Sequence, residues 1–476
     1  MPVKRQGFIN AAGLGVMTLV FPMFGKAEAP AAARPNIVFI LADDLGWADV
    51  GFHGPDIKTP NIDRLAAEGV KLEAFYAMPV CTPSRSALMT GRYPIRYGRQ
   101  YNVLRPGSQV GLSLGERLLP QALHDAGYET AICGKWHLGE FQPAYQPLQR
   151  GFDHQYRLAE PDKKFSHLVT ADNAMIRDQT LCSDKGYLAP LFAKEAVRLI
   201  EQRDTGKPLF LYVAFHSPHT PVLCAPEYSA PYAHLGPTRS VYAGMVAEMD
   251  EAVGQIVSAI ERQGMRKDTL FIFGSDNGGL VTKGEFASNG PLRGGKGSLY
   301  DGGTRVVACA AWDGHIPAGS VVTEPLHMVD WYPTLLKLAG ASLDQKLPPD
   351  GRDAWPAITQ SKPSPHHDIL LNTVGREGAL RTGSWKLVRN GQTEDDEEGD
   401  TKLAKEEKQK KRQAIREAAD VYELFNLAQD PFEKNNLAAS LPEKVQDLRT
   451  RLDIYTKEAV PPIMDPKPVK TRSSAE

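Results

Sequence analysis

The feature that most constrains this chain is a repeated alternation of short, wholly apolar runs with amphipathic helical stretches. Ile37-Val38-Phe39-Ile40-Leu41 is rich in β-formers and has no polar interruption, the pattern of a strand buried on both faces. Thr59-Pro60 then opens a helix to Glu68, with Pro early in the first turn and Gly69 as the stop. A helix over 114–125 precedes a strand over 129–133, 209–215 is another apolar strand, and a long helix over 240–263 precedes a strand over 269–273. Alternation of this kind predicts an α/β fold with a large, mostly parallel or mixed sheet flanked by helices. The C-terminal part reads differently: Ala379-Leu380-Arg381 and Trp385-Lys386-Leu387-Val388 are short strands of a separate small sheet. The expected organisation is a main domain over 30–365 and a smaller α+β subdomain over 366–457. A dense run of mixed charge over 394–412 reads as a solvated insertion, and a loose Pro- and Lys-rich tail follows over 458–476.

The first 29 residues read as an export signal rather than as part of the fold. Lys4 and Arg5 form a basic start, 11–24 is mostly apolar, and Ala27-Glu28-Ala29 fits a small-x-small cleavage site. That apolar run is shorter than the ~20 residues needed to span a bilayer, so no membrane span is expected. Export places the protein in a periplasmic or extracellular compartment. The five cysteines are too few for a disulfide scaffold in 476 residues, and their odd number leaves at least one outside any pair. Cys182 and Cys224 are the candidates for pairing, and Cys81 stands apart. A formal net charge of −2 creates no global field for nucleic acid, so an anionic substrate must be captured by a local cluster of cations.

Four polar clusters sit immediately after expected strands: Asp43-Asp44, Lys135 with His137, His219, and Asp276-Asn277. Open α/β sheets bind ligands outside the carboxyl ends of their strands, which sends all four to one edge. Asp43, Asp44, Asp276 and Asn277 are hard oxygen donors of the kind that bind Ca²⁺ or Mg²⁺. Each pair alone is an ordinary turn or helix cap; together, three carboxylates at one edge repel one another unless a cation joins them. Cys81-Thr82-Pro83-Ser84-Arg85 places a cysteine at a helix N-terminus, where the helix dipole favours negative charge, with Arg85 one turn on.

The stretch Cys81-Thr82-Pro83-Ser84-Arg85-Ser86-Ala87-Leu88-Met89-Thr90-Gly91 resembles the first signature of the type I sulfatases, in which the cysteine is oxidised to formylglycine. The second signature has its likeness in 127–137, ending Gly134-Lys135-Trp136-His137. Ala42-Asp43-Asp44, Ser217-Pro218-His219, Ser275-Asp276-Asn277-Gly278, Leu292-Arg293-Gly294-Gly295-Lys296 and Tyr422-Glu423-Leu424-Phe425-Asn426-Leu427 follow in the family's order. Within the family the pattern is nearest in character to arylsulfatase B, which acts on N-acetylgalactosamine 4-sulfate.

This resemblance implies an alkaline-phosphatase-like fold and one calcium ion held by Asp43, Asp44, Asp276, Asn277 and the modified Cys81. It implies that Arg85 and Lys135 hold the formylglycine, and that His137, His219 and Lys296 are the acid–base and sulfate-binding groups. His216 is an extra histidine; the Ser217-Pro218-His219-Thr220-Pro221 context favours His219. The region 156–183 has no match. The implied partners are a sulfated carbohydrate and the enzyme that oxidises Cys81. Chemically, one hydroxyl of the hydrated aldehyde attacks sulfur, and the second then expels sulfate by C–O cleavage, so one difficult step becomes two easier ones. Two alternatives share the fold: a formylglycine-dependent phosphonate monoester hydrolase or phosphodiesterase, and a carbohydrate-binding protein without catalysis.

Overall fold

The computed structural model describes residues 1–4, 7, 34–101, 103–104, 107–159, 165–171, 173–281, 286–391 and 419–463. The chain divides into two units, 1–33 and 34–476, and every element below belongs to the second. The expected export signal and the charged run over 394–412 lie outside the described residues, apart from the first few positions of the former.

A ten-stranded mixed sheet forms the centre. Its order is Ser320–Val322, Val70–Leu72, Ala308–Ala311, Thr269–Ser275, Asn36–Ala42, Leu209–Ala214, Glu129–Gly134, His154–Leu158, Met175–Arg177 and Thr180–Cys182. The five strands from Thr269–Ser275 to His154–Leu158 are mutually parallel, with antiparallel pairings at both flanks. The period-2 geometry of the first strand divides its apolar residues between the two faces. Val38 and Ile40 pack with the helices Leu188–Gln202 and Pro237–Arg262. Ile37, Phe39 and Leu41 pack with Leu119–Asp125 and Trp331–Leu338 on the other side. Each fully buried side chain of this size contributes about 1.5–3 kcal/mol. Cover on both faces is why these strands read as unbroken apolar runs.

The unmatched region after 156 extends the sheet, with Met175–Arg177 and Thr180–Cys182 pairing as a hairpin. Cys182 and Cys224 do not pair: the Cys182 sulfur accepts from Arg177, and all five thiols are free.

The separate C-terminal sheet has four antiparallel strands, Asp368–Val374, Glu377–Thr382, Trp385–Arg389 and Tyr422–Asn426. Leu448 and Leu452 of the helix Pro442–Glu458 pack with Leu370, Leu380, Leu387 and Leu424 of this sheet. The same cluster includes Ala87, so the small sheet buttresses the helix that begins at Cys81. The tail expected to be loose from 458 onwards is hydrogen-bonded in its described part. Val460 N donates to Ile95 O (2.9 Å) and Ile463 N to Gly98 O (2.8 Å); 464–476 lie outside the described residues. Among the described residues no helix is long and apolar enough to cross a membrane.

Candidate active site

Four neighbouring parallel strands end at the site. Beyond Ala42 come Asp43 and Asp44, beyond Gly134 come Lys135 and His137, beyond Ala214 comes the segment to His219, and beyond Ser275 come Asp276 and Asn277. Backbone pairing continues past the strand ends and holds these segments in register: Asp276 N to Ala42 O (3.1 Å), Asp43 N to Ser217 O (3.0 Å) and Lys135 N to Ala214 O (2.8 Å). Asp44 and His137 both have positive φ, 64° and 59°, conformations rare for residues other than glycine and characteristic of constrained sites.

The helix Cys81–Thr90 delivers the cysteine from the side. It starts two residues before Pro83, where proline is still tolerated in the first turn, and ends on Gly91 at φ 65°. All ten of its residues are buried. Cys81 Sγ lies 3.3 Å from Asp43 Oδ1 and 3.8 Å from Asp44 Oδ1. Arg85 Nε donates to Asp276 Oδ2 (2.9 Å) and Nη1 to Lys135 O (3.1 Å), and Nη2 lies 3.6 Å from Asp43 Oδ2, so one guanidinium joins three of the segments. Lys135 Nζ reaches Asp43 Oδ2 at 2.6 Å and Lys296 Nζ reaches Asp44 Oδ2 at 2.8 Å. Asn277 Nδ2 donates to Asp44 Oδ1 (2.7 Å), and Asp44 N donates to Asp276 Oδ1 (3.3 Å).

Asp43, Asp44, Cys81, Arg85, Lys135, His219, Asp276, Asn277 and Lys296 are therefore in this one cluster, and His137 is tied to its edge through Thr82, the residue after Cys81. Ligand atoms of Asp43, Asp44, Cys81 and His219 lie within 4.8 Å of one another. Asn277 Oδ1 is buried with no hydrogen-bond partner. A buried amide oxygen left unsatisfied beside three carboxylates fits a hard cation such as calcium, which takes oxygen ligands and supplies the missing partner.

The electrostatics follow from burial and crowding. Burial opposes ionisation of Asp43, but Lys135, His219, Arg85 and Lys296 outweigh it and hold its carboxyl well below the usual range. Asp276 is pushed up to about 6 by burial and by the charge of Asp43. Burial, then Asp276 and Asp43, raise the Cys81 thiol well above its ordinary value. For His219, burial and Lys296 disfavour the cation, yet Asp44 and Asp43 prevail and its pKa is raised.

The two neighbouring histidines separate cleanly. His219 Nε2 lies 3.7 Å from Asp44 Oδ2, whereas His216 stacks between Phe165 (5.1 Å) and Phe192 (5.7 Å), and burial drives its pKa down. His137 Nε2 bonds to Leu104 O (2.8 Å), and its backbone is pinned by Glu140 Oε1 (3.1 Å) and Thr82 Oγ1 (3.1 Å). Sequence reasoning missed Tyr242 and Asn289. The Tyr242 hydroxyl accepts from Gly46 N (3.2 Å) and donates to Asp49 Oδ2 (2.9 Å), bracing the loop after Asp44. Asn289 Oδ1 accepts from Trp47 N (3.3 Å) and Gly279 N (2.9 Å), tying two site segments together. Neither carries a local motif, because each reaches the loop after Asp44 across more than 190 positions of chain.

The site can be set beside known proteins. Residues 35–341 match the Sulfatase family. Arylsulfatase J of Mus musculus is 35% identical over 484 aligned positions, spanning 93% of this chain and 79% of that one. N-acetylgalactosamine-6-sulfatase of Rattus norvegicus is 37% identical over 78% of this chain and 76% of its own length. The crystal structure of Ps i-CgsB in complex with k-i-k-neocarrahexaose superposes with a TM-score of 0.78 at 31% identity, covering 90% of this chain and 94% of that one. These relatives make the resemblance to arylsulfatase B an approximate one, while the family itself is established. With its signatures converging on one buried acidic edge, this chain belongs to the sulfatase family and is a sulfuric ester hydrolase.

Proposed function

We propose that this enzyme removes sulfate from a sulfated carbohydrate, with Cys81 converted to formylglycine and one calcium ion held by Asp43, Asp44, Asp276, Asn277 and residue 81. The observation that carries this reading is the gathering of those four residues at one buried edge, Asp43 and Asp44 within 3.8 Å of Cys81 Sγ and Asp276 and Asn277 bonded to Asp44, with Asn277 Oδ1 left unsatisfied. As an unmodified thiol, Cys81 is a poor nucleophile, because burial and two carboxylates raise its pKa. Oxidised and hydrated, position 81 would supply a hydroxyl nucleophile, and a cation held by Asp43, Asp44, Asp276 and Asn277 would lower its pKa and offset charge on the sulfate.

The chain's own groups do the rest. Arg85 and Lys135 hold residue 81 and balance the anion, and Lys296 adds a third positive charge beside Asp44. His219 engages Thr220 O through Nδ1, which leaves Nε2, facing Asp44, to carry the proton given to the leaving oxygen, with Lys296 assisting. Its raised pKa suits that acid role. His137 donates from Nε2 to Leu104 O, which makes Nδ1 the basic nitrogen for the later proton removal.

A carbohydrate substrate is supported by relatives named for N-acetylgalactosamine 6-sulfate and by a neighbour seen with a carrageenan-type oligosaccharide. The sequence pattern of the first 29 residues supports export to the periplasm or beyond. Export and oxidation of Cys81 by a maturating enzyme together yield the working form. The test is mass spectrometry of the peptide containing residue 81, paired with sulfate release from defined sulfated oligosaccharides. An aldehyde at 81 and free sulfate are expected. An intact thiol in fully active enzyme, or a clear preference for aryl phosphate diesters over aryl sulfates, overturns the reading.

A further inference from the structure

The loop that carries Lys296 is gripped at both ends by the C-terminal sheet. Its own anchors are Lys296 N to Gly279 O (3.1 Å), Gly297 N to Pro79 O (2.8 Å), two residues before Cys81, and local bonds such as Gly302 N to Arg293 O (2.7 Å) and Asn289 Nδ2 to Gly294 O (3.2 Å). The segment contains Gly290, Gly294, Gly295 and Gly297, so its backbone has wide freedom unless something outside restrains it. Gly295 is required by close packing, since a Cβ there would lie 2.7 Å from Gly279 O.

Further restraint comes from residues far along the chain. At one end, Arg293 stacks 3.8 Å over the Tyr300 ring, and its Nη1 donates to Glu423 Oε1 and to Glu433 O, both at 3.1 Å. The Tyr300 hydroxyl donates to the other oxygen of Glu423. At the other end, Asp301 N donates to Glu433 Oε2 (2.7 Å), and Lys386 Nζ lies 2.7 Å from both Asp301 Oδ1 and Glu433 Oε1. Glu433 thus holds both ends of 293–301, from a backbone position at φ 56° that non-glycine residues rarely adopt. Between those ends the Lys296 ammonium is fully buried against Asp44.

We propose that Arg293, Glu423, Glu433 and Lys386 are positioning residues that hold the Lys296 ammonium in its working place, which makes the C-terminal sheet part of the catalytic apparatus. This rests on the reading above, in which Lys296 assists departure of the alcohol. A loop released by about 1 Å costs up to about 100-fold in rate when a reacting group moves with it. Because Lys296 acts at the leaving oxygen, the loss falls on substrates whose alcohol leaves poorly.

The experiment compares Arg293→Ala and the milder Glu423→Gln with wild type on nitrophenyl sulfate and on a sugar sulfate, with amide hydrogen exchange measured on the same proteins. In Arg293→Ala, kcat on the sugar sulfate is expected to fall by about 10- to 100-fold. On the aryl ester it falls much less, KM changes little, and the Lys296 and Gly297 amides exchange faster. Glu423→Gln follows in the same direction with a smaller change. In a Lys296→Ala background, Arg293→Ala leaves the ratio of the two rates unchanged. Equal losses on both substrates, or unaltered exchange at Lys296 and Gly297, overturn the proposal. A Lys296→Ala enzyme with the wild-type ratio, while Arg293→Ala still speeds exchange, instead removes the assignment of Lys296 and leaves the clamp standing.

Discussion

Two of the buried clusters of opposite charges differ in what completes them. In the cluster of Asp301, Lys386 and Glu433, all three side chains are fully buried, and the protein satisfies them with its own groups. Lys386 bridges the two acids, Tyr76 donates to Asp301 (3.1 Å), and the Asp301 amide serves Glu433. At the active site Asp43, Asp44 and Asp276 are equally buried, but Asn277 Oδ1 has no partner, and the cluster opens outward at Lys135 and His219. Burial of charge is thus common to a brace and to a reaction centre. Glu433 Oε1, without a well-aligned hydrogen bond, still meets the Lys386 ammonium at 2.7 Å; an amide oxygen with no such partner and an open edge distinguish the centre.

The largest expected break in this comparison is Cys81→Ala. It leaves the brace intact and is expected to lower kcat on an aryl sulfate by about 10⁴-fold or more, as loss of a nucleophile does elsewhere. Steady-state turnover of the folded variant checks this; residual activity within tenfold of wild type would exclude position 81 as the nucleophile. Lys386→Met acts on the other cluster. It strands Asp301 and Glu433 without their shared cation and is expected to cost about 3–5 kcal/mol, read from denaturant unfolding. A loss under about 1 kcal/mol would mean the trio behaves like a surface pair.

Calcium sharpens the contrast. At about 100 times its Kd, Ca²⁺ is expected to stabilise the wild type by about 2.7 kcal/mol, and a chelator to reverse it, measured by thermal unfolding. Asn277→Ala should lose most of that gain and Lys386→Met should keep it; equal gains in both variants would place the ion elsewhere. The smallest effect concerns Glu248, a buried acid that belongs to neither cluster and whose Oε1 has no hydrogen-bond partner. Burial pushes its pKa up from 4.5 to about 7. The native state therefore keeps a proton that the unfolded chain has released. Its contribution is full below pH 4.5 and is lost as pH rises through about 7. Glu248→Gln should flatten the stability profile across that window, and an unchanged slope would show that other groups set it.

Much of the main sheet was legible along the chain, because strands covered on both faces must be apolar throughout, and Pro in the first turn marks the start of several covering helices. The helix expected after Thr59 runs Pro60–Glu68, and the long helix expected over 240–263 runs Pro237–Arg262. The helix expected over 114–125 begins later, at Leu119, where the Leu118 amide meets Gln121 and Pro120 occupies the first turn. The hairpin of Met175–Arg177 and Thr180–Cys182 carried no such sign: it sits at a sheet edge, and most of its residues are partly exposed.

By itself the sequence determined which groups end up at the catalytic edge. A polar residue placed directly after a buried parallel strand has only one end of the sheet to occupy, and Asp43, Lys135, His219 and Asp276 all obey that rule. It also determined that Cys81 opens a helix. The local context had already favoured His219 over His216, and only the tertiary structure supplied the physical reason, because a stacking partner such as Phe165 and a carboxylate such as Asp44 come from distant segments. The grip of Glu433, Glu423 and Lys386 on the Lys296 loop was likewise decided in three dimensions. Ion pairs and hydrogen bonds between residues 85 to 132 positions apart leave no periodic trace in the chain, and they form only once two separate sheets have packed together.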